Sequence, residues 1–292
     1  MPADRSPGAL EGKAAIVTGG GSGLGREIAL EYAAQGAQVV VSSVVPEQDE
    51  AVVLACRELG GIAIAVPADV RSESEVAALV DRCVVEFGSL DVLVAAAGLD
   101  VRESESREDR YAANLPLSHW TKVVDTNLTG TFLSIREALR HMLPGASGSI
   151  ATFSSGTVRF PRAGLAAYAS TKFAIEGLTK VVAEEVRDRG VRVNAIQPGG
   201  MTDTGFFPGW TEEHERSAMH DPAVIRSLAA FVASDDSRSV TGESLIATDW
   251  NRDHGLSLCG CPACTAATAE AAHLTSPPRS ATAVAGDSPR TA

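Results

Sequence analysis

The sequence predicts an α/β protein: a doubly wound, seven-stranded parallel sheet with helices on both faces. Three observations carry this. Short runs rich in small and β-branched residues alternate with longer amphipathic runs along the chain. The first short run leads at once into a glycine-rich turn and a helical pattern. The chain has 292 residues, 45% of them hydrophobic, enough for one large core.

Lys13-Ala-Ala-Ile-Val-Thr18 reads as the first buried strand. Gly19, Gly20, Gly21, Ser22, Gly23, Leu24 and Gly25 follow, then a helix over 23–35 whose Ile28, Leu30, Tyr32 and Ala33 precede Gly36. Glycines permit a tight turn and close backbone approach to a pyrophosphate, which the helix N-terminus faces with free N–H groups. Further strands are expected near 37–42, 62–66, 91–95, 148–153, 191–196 and 244–248. Further helices are expected near 47–59, 73–87, 118–143, 166–189 and 222–233. Such alternation argues a parallel sheet covered on both faces, with right-handed crossovers. The charged stretch 99–116 reads as a solvated loop or as a rim over the cleft. Residues 1–255 are expected to form a single dinucleotide-binding and catalytic domain. From about Asn251 the composition changes, and 265–292 are mainly Ala, Thr, Ser and Pro. A segment with so little to bury cannot offset its ordering entropy, so 256–292 are expected to be a disordered tail.

Net charge is −12, with no basic stripe, which argues against nucleic acid and anionic membrane as partners. The first dozen residues lack the apolar segment of a secretory signal, and no run approaches the ~20 apolar residues of a membrane span. The expected compartment is the cytoplasm. Among five cysteines, Cys56 and Cys83 fall on helices and read as small buried hydrophobes. Cys259, Cys261 and Cys264 either hold a soft metal, with His254 or His273 as a further ligand, or stand in a reduced tail. The unstructured reading is preferred, and no metal is assigned to the site.

Tyr168 and Lys172 stand four residues apart in Tyr-Ala-Ser-Thr-Lys, with Ser155 upstream. Residues i and i+4 share one helix face, so the ammonium can sit beside the phenol. A phenol titrates near ~10, and bringing it to about 7 needs roughly 4 kcal/mol of differential stabilisation, which a close, partly desolvated cation can largely supply. The product is a general acid/base for an alcohol/carbonyl couple.

With these motifs the chain resembles the short-chain dehydrogenase/reductase family, 3-oxoacyl reductases included. The family's T-G-x-x-x-G-x-G appears as Thr18, Gly19, Gly23 and Gly25, and its Y-x-x-x-K as Tyr168 and Lys172, with Ser155 at the usual spacing. Its N-A-G motif after the fourth strand is weakened, as Ala95-Ala96-Ala97-Gly98. Asn127, Asp69-Val70 and Pro198-Gly199 match the helix asparagine, the adenine-side pair and the turn after the sixth strand. The likeness covers roughly residues 10–250.

The resemblance implies a Rossmann-type enzyme that interconverts a secondary alcohol and a ketone. It implies Tyr168 as the acid/base, Ser155 bonding the substrate oxygen, and Lys172 lowering the phenol pKa and binding the nicotinamide ribose. Asn127 would hold a water linking Lys172 to solvent. Thr18, Gly19, Gly21, Ser22, Gly23, Leu24, Gly25, Ser43, Asp69, Val70, Ala97, Gly98, Pro198 and Gly199 would contact the cofactor. NAD-preferring members carry an acid at about Ser43, and its absence here favours NADP(H) over NAD(H). Met201, Phe206, Phe207, Trp210 and Met219 either line a substrate loop or cover the core, and Phe160 and Arg162 are further candidates. The second apolar sides of helices 118–143 and 166–189 (Leu133, Ile135, Ala138, Phe173, Ala174, Leu178, Val181, Val182) point to a homodimer or homotetramer. A small carbonyl or alcohol is the expected partner. A catalytically silent nucleotide-binding regulator and an epimerase or dehydratase of related fold are the alternatives.

Overall fold

A computed structural model of the chain describes residues 8–100, 108–206 and 219–257. Its seven strands are β1 (Ala14–Thr18), β2 (Gln38–Ser42), β3 (Ile62–Ala65), β4 (Val92–Ala95), β5 (Gly148–Phe153), β6 (Val191–Gln197) and β7 (Ser244–Ile246). They form one sheet in the order β3-β2-β1-β4-β5-β6-β7, every pair parallel. The strand order reverses between β1 and β4, which opens a crevice at their C-terminal ends.

Alternation along each strand decides which face a residue serves. In β1, Ala15 and Val17 join one core, with Ile28 and Ala29 of α1 (Gly23–Ala34), Val52 and Val53 of α2 (Pro46–Glu58) and Leu228 and Val232 of a later helix. Ala14 and Ile16 join the other, with Leu79 and Val80 of α3 (Glu73–Phe87) and with Ile135 and Met142. Both faces of β1 are therefore buried, and its five residues read as a continuous apolar run capped by Thr18.

The expected helix 118–143 is three pieces: α4 (Leu117–Val124), one π-helical turn (Asp125–Thr129) and α5 (Gly130–Met142). The turn has local causes. Thr131 Oγ1 donates to the Asn127 carbonyl at 2.6 Å and Ser134 Oγ to that of Gly130 at 2.8 Å, both back-bonds of four residues that loosen a helix. The expected helix 166–189 is α6 (Ala166–Glu185), which gives way to a 3₁₀ turn at Arg187–Arg189. The expected 222–233 is a 3₁₀ turn, Pro222–Ile225, followed by α7 (Arg226–Ala233).

The expected strand 244–248 ends at Ile246, and a helix with no counterpart in the sequence reading, α8 (Ala247–Asp253), follows. Trp250 fastens α8. Its ring stacks on Phe231 at 4.3 Å and on His254 at 3.7 Å, and its indole donates to Ser227 at 3.1 Å. Cys56 and Cys83 are buried free thiols, pushed up to about 11 and about 12 by desolvation. Cys259, Cys261, Cys264 and the tail from 258 onward lie outside the described residues, as do Phe207, Trp210 and residues 101–107 of the charged stretch.

Tyr32 in α1 ties the helix to α7. It is fully buried, and its hydroxyl donates to the Ala229 carbonyl at 3.0 Å. Tyr32→Phe keeps the ring and leaves that carbonyl without the hydroxyl. Urea unfolding should show a loss of about 1–2 kcal/mol. An unchanged midpoint would show that this contact adds nothing to stability.

Candidate active site

The crevice begins at the glycine turn. Gly19 has φ +66, and a Cβ there would lie 2.8 Å from the Ala97 backbone. A Cβ on Gly25 would collide with the Gly19 carbonyl. These two positions thus require glycine, one for conformation and both for close approach. Thr18 Oγ1 donates to Val94 O and accepts from Ala97 N, each at 3.4 Å, which ties the β1 end to the loop after β4. Ser22 is the N-cap of α1, yet its side chain makes no cap hydrogen bond. The first-turn amides of Gly23 and Leu24 keep their helix-end positive potential, and the donor set fits a pyrophosphate.

On the nicotinamide side, α6 brings Tyr168 and Lys172 to the C-terminal end of β5. The Lys172 side chain is 5% exposed, and Nζ donates to Phe153 O at 2.8 Å. Nζ lies 5.4 Å from the centre of the Tyr168 ring. Burial pushes the ammonium down to about 8. Two residues beyond Phe153, Ser155 Oγ accepts from Thr157 N at 3.3 Å, which leaves its hydroxyl hydrogen to donate elsewhere. Thr171 Oγ1 donates to Tyr168 O at 2.7 Å and accepts from Asn127 Nδ2 at 3.3 Å.

Asn127 is fully buried on the π turn. Its Oδ1 accepts from Leu99 N at 2.8 Å and its Nδ2 donates to Leu99 O at 2.9 Å. The side chain clamps the segment after β4 beside Gly98, whose Cβ would sit 3.4 Å from Oδ1. A water held by Asn127, as the resemblance implies, would meet acceptors that each already take one bond, Oδ1 from Leu99 and the main-chain carbonyl from Thr131.

On the adenosine side, Ser43 stands at the end of β2. Its amide donates to Asp49 Oδ2 at 2.7 Å, and its hydroxyl pairs with the Val45 backbone. Asp49 of α2 is fully buried, and its Oδ1 lacks a hydrogen-bond partner. A Cβ on Gly21 would meet that oxygen at 2.6 Å. Desolvation is the main influence on the Asp49 carboxyl and raises its pKa; the Ser43 bonds act the other way. Asp69 follows β3 and is held by Arg71, with Nε at 2.9 Å from Oδ1. That pair keeps the Asp69 carboxyl below its usual range. Val70 packs beneath Gly130. Gly199, at φ +98, leaves its turn pressed against Thr248 of α8, whose amide donates to Pro198 O at 3.1 Å.

Among the described residues, Thr18, Ser43, Asp69, Ala97, Ser155 and Pro198 thus stand at or just after the C-terminal ends of β1 to β6 in turn. Three partners were not legible. Thr204 lies against Gly23, where a Cβ would be 3.3 Å away, and Thr248 holds the Pro198-Gly199 turn. The third is Asp49, and here a signal existed: Asp49, Val52, Val53 and Cys56 form the buried stripe of α2, so an acid heads an apolar row. On the substrate side, Phe206 tilts against Tyr168 with centroids 5.6 Å apart, and Arg162 Nη1 reaches Met201 Sδ at 3.3 Å.

A family model described as short chain dehydrogenase matches residues 13–215. The 2,5-dichloro-2,5-cyclohexadiene-1,4-diol dehydrogenase of Sphingobium indicum is 35% identical over 243 residues, which span 81% of this chain and 94% of that protein. The 3-oxoacyl-[acyl-carrier-protein] reductase of Staphylococcus aureus is 35% identical over 241 residues, 80% of this chain and 95% of the other. Among solved structures, a short chain dehydrogenase from Burkholderia cenocepacia J2315 in complex with NADP is 33% identical and superposes with a TM-score of 0.73, over 82% of this chain and 97% of that one. Among the described residues no helix is long and apolar enough to cross a membrane.

The buried ammonium has a consequence for stability. In the unfolded chain a lysine titrates near ~10.4, whereas the folded Lys172 does so at about 8. Below that value both states are charged, and the fold bears the full desolvation cost. Above it the folded state loses its proton first, so the cost falls as pH rises toward the unfolded value. Lys172→Met should stabilise the fold near neutral pH by up to about 3 kcal/mol, less roughly 1 kcal/mol for the lost Phe153 bond. The gain should shrink above about pH 8. Thermal melts of both proteins across pH test this; a gain independent of pH would contradict a desolvated amine.

Proposed function

The chain belongs to the short-chain dehydrogenase family, and from that premise we propose that it interconverts a secondary alcohol and a ketone by NAD(P)(H)-dependent hydride transfer, with Tyr168 as general acid/base. The observation that carries the reading is the buried Lys172 ammonium, fixed by the Phe153 carbonyl beside the Tyr168 ring.

When bound, the nicotinamide supplies or accepts the hydride. The chain handles the proton and the oxygen. Lys172 titrates at about 8 and so is mainly charged at neutral pH, where its field favours the phenolate form of Tyr168. Tyr168 accordingly takes the alcohol proton in one direction and returns it in the other. The Ser155 hydroxyl donates to the substrate oxygen and aims it at the phenol. Asn127 acts on position, holding Leu99 and, through Thr171, the Tyr168 backbone. The glycine turn and the α1 amides of Gly23 and Leu24 hold the pyrophosphate, with Asp69 and Val70 on the adenine side and Pro198 and Gly199 beside the nicotinamide. On the β2 end taken alone, Ser43 brings no charge and so supports NADP(H) over NAD(H). Phe206 and Met201 suit a substrate with an apolar body.

The same proposal treats residues 1–255 as one catalytic domain with 256–292 appended. Buried free thiols at Cys56 and Cys83 agree with a reducing, cytoplasmic setting.

Tyr168→Phe keeps the ring and removes the transferable proton. Turnover should fall by about 10² to 10⁴, with cofactor affinity little changed. Stopped-flow absorbance at the reduced nicotinamide band reads it; a variant within about threefold of wild type would remove Tyr168 from this role.

Assembly follows from the surface of the same helices. Phe132, Phe173 and Val181 are 44%, 56% and 57% exposed, and Leu117 77%. Leu133, Ile135, Ala138 and Val182 are instead buried in the core, so the second apolar side is narrower than the sequence suggests. Exposed aromatic and aliphatic groups on α4, α5 and α6 suit a self-complementary two-fold contact, giving a homodimer or homotetramer. Light scattering should return a multiple of 30.3 kDa, and Phe173→Glu should lower it. A monomeric active enzyme would refute the assembly.

A further inference from the structure

We propose that Asp49 makes this site select NAD(H) over NADP(H), acting as a positioning and charge-bearing residue from behind Ser43 and Gly21. The inference rests on the dinucleotide reading of the glycine turn and concerns the far end of that ligand, the adenosine ribose. The ribose lies in the crevice at the C-terminal ends of β1 and β2, where the β2 end and the glycine turn face each other. Gly20 N donates to Ser42 O at 3.1 Å, and Gly21 lies against Asp49, Gln48 and Ser43.

A 2′-phosphate carries close to two negative charges and needs cations or free donors. A 2′-hydroxyl is neutral and can itself donate. At this point of the crevice the donors are turned away. The Ser43 amide is held by Asp49 Oδ2 at 2.7 Å, and the Ser43 hydroxyl is held by the Val45 backbone. Residues 38–56 contain no lysine or arginine, while Glu47, Asp49 and Glu50 all fall in that span. Arg71, the next cation along the chain after Arg57, is occupied by Asp69.

What is left is a carboxylate. Asp49 is fully buried, so water does not screen it, and its Oδ1 has no hydrogen-bond partner. Coulomb interactions between charges separated by a few ångströms of protein are several-fold stronger than in water. A 2′-phosphate placed over Gly21 and Ser43 meets that charge through the Ser43 amide, whose dipole is already aligned with it. A hydroxyl meets no such repulsion. The acid that an NAD-selective strand end would carry at Ser43 is thus supplied from one turn into α2. Asp49 does not touch the cofactor; Ser43 does.

Dissociation constants of NADH and NADPH, measured by nicotinamide fluorescence without substrate, test this on the full chain and on Asp49→Asn. Asparagine keeps the shape and an acceptor for the Ser43 amide but removes the charge. Wild type should bind NADH more tightly than NADPH by about tenfold or more, and Asp49→Asn should narrow that ratio by about fivefold through tighter NADPH binding. A residue that merely holds the β2–α2 connection would weaken both ligands together and leave the ratio where it was. An unmoved ratio, or a wild type that prefers NADPH, overturns the proposal. If neither nucleotide binds, the dinucleotide reading itself fails. Should Asp49→Asn not fold, Asp49→Ser is read in the same way, and the wild-type ratio still decides the sign.

Discussion

Lys172 carries its ammonium to a place where 5% of the side chain is exposed and the Phe153 carbonyl, 2.8 Å away, stands in for water. An ammonium taken out of water must find such partners or lose its charge. That carbonyl is the last of β5, so the bond ties α6 to the end of that strand. A second buried bond, Thr152 to Thr179 at 2.7 Å, fixes the same docking further down the helix. Tyr168, one turn before Lys172, is placed by the same two contacts. Thr171 then passes the restraint to Asn127, and Asn127 to Leu99. The segment holding Leu99 begins at Ala97, which presses on Gly19. One desolvated cation is in this way connected, bond by bond, to the glycine turn at the other side of the crevice.

The sheet itself carries a gradient along its strands. Buried polar residues stand at or next to the C-terminal ends of four strands, Thr18 in β1, Ser42 in β2, Thr152 in β5 and Gln197 in β6, while Ser149 and Asn194 lie earlier in β5 and β6. The residues before them, such as Ala15, Ile16, Val39 and Val40, are apolar and fully buried. The apolar half supplies the stability of packing against helices on both faces. The polar half organises loops, as Thr18 does with Ala97 and Asn194 with Val240 at 2.9 Å. Several of these groups, Ser42 Oγ, Ser154 Oγ and Gln197 Nε2 among them, are buried without a hydrogen-bond partner. Their cost is borne where the crevice lies.

Most of this was legible because it rests on short-range rules. The strands were readable from their β-branched runs, and α1 from its glycine turn and the row Ile28, Tyr32 and Ala33. The candidate site residues were named from the family resemblance and from the four-residue spacing of Tyr168 and Lys172. What escaped depends on contacts distant in sequence. The π turn within the expected helix 118–143 arises from hydroxyl back-bonds of Thr131 and Ser134, which look like any polar residues on a helix. The helix α8 was hidden because 247–253 is short and polar. It exists because Trp250 finds Phe231 and Ser227, and because Asn251 donates to Val224 O at 2.9 Å. Asp49 heads the apolar row of α2 but sits in a run of acids with Glu47 and Glu50, which hid that signal.

Net charge is a poor guide to what such a crevice binds. The chain is acidic by −12, yet the reading above gives it a pyrophosphate ligand. Charges on the far surface act over distances longer than the ~10 Å Debye length and are largely screened. The uncapped amides at the start of α1 act at contact distance, with a fraction of a positive charge concentrated there. Local donors outweigh the global excess of acid at the pyrophosphate. The same argument runs the other way at the ribose. In the role proposed for Asp49, a buried carboxylate near the ligand would be screened less than a distant cation. Under that proposal, two anionic groups of one ligand would receive opposite treatment within one crevice, one from the amides of α1 and the other from Asp49.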